Sequence, residues 1–166
     1  MSEMISPVRI GDATALLGLV PLVSETPTHK DQRLVLAAYL IGGMLRFKSR
    51  RSELTRIRQE AIAALHEVRP RTVVMAFEAA DGASRRRVDR IARRLTRDIS
   101  VAATNAVGSD TTVIGLVIMS ALDRELASAC VRHVAEDPPE SGDGLVFHAA
   151  DLSRANIYEL IEEAVL

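Results

Sequence analysis

Two segments, FEAAD at 77–81 and FHAAD at 147–151, bring together the residue types best suited to chemistry. Each ends an apolar run and leads through a Ser-Arg pair, Ser84-Arg85 and Ser153-Arg154, into a stretch with helical spacing. Glu78, Asp81, His148 and Asp151, with Asp110, would form an acid–base or metal-binding group if they met at strand ends, where ligands of α/β proteins commonly bind. The simpler reading makes Asp81 and Asp151 helix caps, because a carboxylate before a helix accepts its orphan first-turn N–H groups. On that reading the two segments are one junction design used twice.

The second candidate is a row of guanidiniums. Between 83 and 97, Val88, Ile91, Ala92 and Leu95 fall on one helical stripe, and Arg86, Arg90, Arg93 and Arg97 fall on the opposite side, with Arg85, Arg87 and Arg94 flanking. Such a ridge suits an acidic protein surface or a phosphate backbone. The chain has no Trp, 2 Tyr and 3 Phe, which argues against stacking of single-stranded bases.

Other chemistries lack their residues. The lone cysteine, Cys130, excludes an intrachain disulfide and a thiolate-rich zinc site. His133 lies one turn from it, which gives two ligands where zinc needs four. No Walker loop, GxGxxG turn, HExxH helix or GxSxG elbow occurs, so no cofactor is implied. The start lacks the basic and apolar regions of a secretory signal. The longest apolar stretches, 34–45 and 111–122, fall short of the roughly 20 residues that span a bilayer. The expectation is a cytoplasmic protein with no membrane partner.

The net charge of −1 conceals a polarity. Residues 30–97 carry 17 Lys and Arg against 7 Asp and Glu, whereas residues 98–166 carry 3 against 12. Either the two parts neutralise each other within the fold, or the basic face meets an acidic surface, on another protein or another copy.

The elements that would position these groups follow from length and periodicity. The 166 residues suit one domain, with 1–27 as an arm folded back through Leu16, Leu17, Leu19 and Leu22. Residues 28–69 read as a helical hairpin: one helix over 29–46, capped by Thr28 and Asp31, and a second capped by Ser52 and stopped by Pro70. Residues 72–166 read as strand 72–78, helix 83–97, a hairpin of strands around Gly108-Ser109-Asp110, helix 121–135 with a capping-box-like start at Ser120 and Asp123, strand 144–149 and helix 152–165. Leu122, Leu126, Cys130 and Val134 point inward on the 121–135 helix. This is a ferredoxin-like βαββαβ core with two helices before it and one after, in the α/β (α+β) class. A doubly wound parallel sheet is the alternative, if the Gly108 turn hides a crossover.

Within that order, VGSDTTVIGL at 107–116 resembles the signature hairpin of diguanylate cyclase (GGDEF) domains, whose core is also ferredoxin-like. Gly108 and Asp110 match the five-residue motif; Ser109, Thr111 and Thr112 stand in place of Gly, Glu and Phe. The resemblance spans 72–165 in element order. It implies a degenerate domain, inactive as a cyclase, with Glu78 and Asp81 only loosely at the positions of strand-end metal carboxylates.

The sequence therefore points to a non-enzymatic association protein. Its Arg86, Arg90, Arg93, Arg94 and Arg97 would dock an acidic protein or a second copy in a homo-oligomer. A small enzyme built on the strand-end carboxylates and His148 is the rival, and nucleic-acid backbone binding the third possibility.

Overall fold

A computed structural model describes residues 8–12, 34–42, 47–108 and 110–166. Five strands, β1 (Val8–Gly11), β2 (Leu34–Ile41), β3 (Thr72–Ala79), β4 (Thr112–Ile118) and β5 (Val146–His148), form one sheet in that spatial order, every pair parallel. The other elements among the described residues are four α-helices, α1 (Phe47–Val68), α2 (Arg85–Val107), α3 (Ala121–Glu136) and α4 (Ile157–Val165), and a short 3₁₀ helix (Ala149–Ser153).

The mixed α/β class stands, but the βαββαβ hairpin core does not. Two misread segments account for the difference. Residues 34–41, expected within a helix, are the interior strand β2, and Leu34 to Tyr39 are all buried. A strand covered on both faces loses its apolar alternation and reads like a helix buried on every side. Residues 98–107, expected as a strand, continue α2. Ile99 and Ala103 prolong the buried stripe of Val88, Ala92 and Leu95, while Val101 faces solvent. The helix ends at Gly108, whose φ of 100° suits glycine and whose N–H bonds Thr104 O. Gly108 and Asp110 thus link a helix to a strand, and the resemblance to the cyclase hairpin is not supported.

Alternate residues along each strand feed two cores. Val35, Ala37, Tyr39, Met75, Phe77 and Val117 pack under α1 and α2. Leu36, Val74, Ala76, Ile114 and Leu116 pack under α3 and α4. Helices on both faces match the doubly wound alternative, yet the strand order runs from β1 to β5 without the reversal that makes a topological switch point. Because α1 and α2 lie on one face and α3 on the other while the sheet grows in one direction, the β4–α3–β5 crossover has the opposite hand to the two before it. One of these senses is the uncommon left-handed one.

Several local expectations need correction. Ser52 lies inside α1, which begins at Phe47. Asp81 and Asp151 cap nothing. The N-cap of α2 is Ser84 and that of α4 is Asn156, while Asp151 sits within the 3₁₀ helix. On α3 the inward residues are Ala127, Cys130, Val131 and Val134, and Leu122 is exposed. Ser120 does cap α3, its Oγ accepting from Asp123 N at 3.1 Å, with Asp123 Oδ2 accepting from Met119 N at 2.8 Å. The cap at Thr28 and Asp31 and the apolar residues 16–22 of the arm lie outside the described residues. Among the described residues no helix is long and apolar enough to cross a membrane.

Candidate functional site

In a parallel sheet all carboxyl ends share one edge, here the ends of β1 at Gly11, β2 at Ile41, β3 at Ala79, β4 at Ile118 and β5 at His148. The five proposed catalytic residues do not gather there. Glu78 points under the α3 face, buried, and bonds Arg124 of α3. That hydrogen bond, with the charge of Glu78, raises the Arg124 guanidinium above its usual value despite the opposing effect of burial. Asp81 is exposed in the turn after β3. Asp110 precedes β4 and so lies at the opposite, amino-terminal edge of the sheet. His148 turns toward α2, where its Nε2 comes 3.2 Å from Asp89 Oδ1 without making a hydrogen bond. Asp151 is 3.8 Å from Arg154. Among the described residues no three His, Cys, Asp or Glu side chains are grouped to hold a metal ion.

One cluster at that edge escaped the sequence reading. Asp12 accepts from Leu40 N at 2.8 Å and faces Arg56 at 3.5 Å, and Arg56 bonds Glu60 at 2.9 Å. Beneath them Tyr39 is fully buried; burial first, and then the Glu60 carboxylate, push its phenol up. This network ties β1 and β2 to α1, a structural task.

The arginine ridge is where the periodicity placed it. Arg86, Arg90, Arg93, Arg94 and Arg97 are all exposed on α2. Arg93 bonds Asp89 one turn earlier at 3.0 Å; the other four have no ion-pair partner among the described residues. Two ridge residues, Arg93 and Arg97, also border a groove of about 490 Å³ along the outer side of β5. Gly144 to Phe147 line its floor, and its far wall is Leu160, Glu163 and Ala164 of α4 with Asp151 and Arg154. Arg154 was not singled out by sequence, because its role depends on packing α4 against a strand edge. Its guanidinium is 3.4 Å from Glu163.

The charge polarity becomes a division in space. Helices α1 and α2 hold 12 Arg and Lys against 5 Asp and Glu, and residues 121–166, which build the other face, hold 3 against 10. Helix axes on opposite sides of a sheet lie roughly 20 Å apart, beyond the screening length of about 10 Å at 0.1 M salt. The sheet therefore separates most of the two charges, which approach each other only around its β5 edge. Comparison with protein-family models, with curated proteins and with solved structures finds no match.

Proposed function

We propose that this protein is a docking module that binds an acidic protein surface through the ridge of α2. The observation that carries the reading is the set of five aligned, exposed guanidiniums, four of them without an ion-pair partner among the described residues. Unpaired, solvated arginines contribute little to folding, but they can steer an anionic partner and pair bidentately with its carboxylates. The enzyme reading loses ground because Asp110 lies at the opposite edge of the sheet, Glu78 bonds Arg124 of α3 and His148 faces Asp89 of α2.

The test is charge reversal of Arg86, Arg90 and Arg97 to Glu, which spares the buried stripe. Fluorescently labelled polyglutamate should bind the parent, release with added salt, and bind the triple variant at least about tenfold more weakly, since each lost exposed ion pair contributes up to about 1 kcal/mol. Equal binding by parent and variant would remove the docking reading. Oligonucleotide binding whose logarithm falls linearly with log salt, in a protein that ignores polyglutamate, would assign the ridge to nucleic acid instead.

The separated charge layers favour one version of this reading, in which the acidic α3 and α4 layer of a second copy meets the ridge. That contact is not self-complementary, so it builds rings or filaments rather than two-fold dimers. Sedimentation of a protein with its ridge neutralised by Arg86→Ala, Arg90→Ala and Arg97→Ala, mixed with a variant carrying Glu125→Ala, Glu136→Ala and Glu162→Ala, should give a dimer where each alone is monomeric. Monomers in the mixture and in the parent would end that version.

A further inference from the structure

We infer that the groove beside β5 takes an extended segment of the acidic partner as an added strand, in which acidic and apolar residues alternate. The inference rests on the docking reading and specifies the partner's shape. β5 ends the sheet, so one side of its backbone has no strand neighbour among the described residues. Gly144 N bonds Val113 O at 2.7 Å and Leu145 O accepts from Gly115 N at 2.8 Å, so these groups face β4. Strand alternation then turns the Val146 N–H and C=O outward, onto the groove floor.

The two walls differ in chemistry. The α2 wall presents Arg93 and Arg97, and Arg97 has no ion-pair partner among the described residues. The α4 wall presents the exposed Ala164 and the edge of the nearly fully buried Leu160, with two carboxylates, Asp151 and Glu163, already beside Arg154. A strand laid along β5 sends successive side chains to opposite walls, so every second residue meets arginine and the others meet the α4 side, where Asp151 and Glu163 disfavour a further carboxylate and Ala164 leaves room for a small side chain. Charge complementarity thus selects a carboxylate on one face of the incoming strand and a small apolar side chain on the other. β5 is only three residues long, which limits the backbone bonds available and leaves the side-chain pattern to supply selectivity.

Three probes test this against the full chain: a peptide of alternating glutamate and valine, one of the same composition with all glutamates before all valines, and the alternating peptide N-methylated on either its glutamates or its valines. In an added strand the backbone groups facing β5 belong to residues of one side-chain face only. The alternating peptide should bind, the block peptide about tenfold more weakly, and methylation of one residue set, but not the other, should cost about tenfold by removing the N–H donor to the Val146 C=O. Arg97→Glu should abolish binding. The protein stays unaltered in the methylation arm, so no folding defect confuses it. Equal binding of all the peptides would overturn the strand-addition inference while leaving ridge docking intact. Binding of polyglutamate alone would do the same. If neither polyglutamate nor any of these peptides binds, both readings fall.

Discussion

The two helical layers obey helix-terminus electrostatics to different degrees. On the acidic side α4 opens with a complete capping box. Asn156 Oδ1 accepts from Tyr158 N and Glu159 N, both at 3.0 Å, and Glu159 Oε2 accepts from Asn156 N at 2.9 Å. α3 opens with Ser120 and Asp123 in similar roles. On the basic side α2 opens with Ser84, which makes no side-chain cap, followed by Arg85, Arg86 and Arg87 with no acidic residue in the first turn. Three cations there oppose the positive end of the helix dipole. A sequence tends to break its local rules where another task competes with stability, and the rule is broken at the foot of the arginine ridge.

The largest effects test whether the layers share one folding unit despite this contrast. Phe77 under α2 and Leu116 under α3 are both fully buried on neighbouring strands. Phe77→Ala should cost about 3–5 kcal/mol and Leu116→Ala about 2–5 kcal/mol in urea unfolding, each with a single transition. A variant that melts in two steps would show that the faces fold separately.

Cys130 probes the acidic side by pH. It lies under α3, and burial pushes its thiol up to about 12. A folded-state pKa above the unfolded value means stability that is intact below the unfolded thiol range and is lost as pH rises toward 12. Cys130→Ala, after correction for its packing cost, should flatten that alkaline decline, and a thiol reagent should label the native parent slowly. Fast labelling at neutral pH would contradict the burial.

Much of the contrast was legible in the sequence. The ridge was, because Val88, Ala92 and Leu95 set the helix phase by themselves. So was the Ser120 cap, which is local. β2 was not, since Leu34 to Ile41 is apolar throughout and periodicity carries no information there. Nor was the end of α2, where Ile99-Ser100-Val101 imitates strand alternation for three residues, and only the longer run through Ala103 restores the helical period. The groove depends on Arg97, Val146 and Leu160, which meet through sheet order, and no spacing rule connects them.

Capping separates the layers at the next level. Asn156→Ala should cost about 1 kcal/mol, because two N–H groups lose their acceptor. Ser84→Ala, which removes no cap bond, should change stability by less than about 0.5 kcal/mol. Similar costs at both sites would erase the contrast between the layers.

The smallest effect is the most informative, because its sign is opposite to that of an ordinary mutation. Arg85 and Arg86 are exposed at the amino-terminal end of α2, where a carboxylate suits the dipole and a guanidinium does not. Arg85→Glu and Arg86→Glu should each raise stability by about 0.3–1 kcal/mol at low salt, and the gain should shrink as salt is added. The same Arg86→Glu should weaken binding of polyglutamate, since Arg86 belongs to the ridge. Gain in one measurement and loss in the other is what a residue kept for docking produces. A loss of stability would mean that the guanidinium already has a favourable partner, and the conflict at the start of α2 would then be no guide to function.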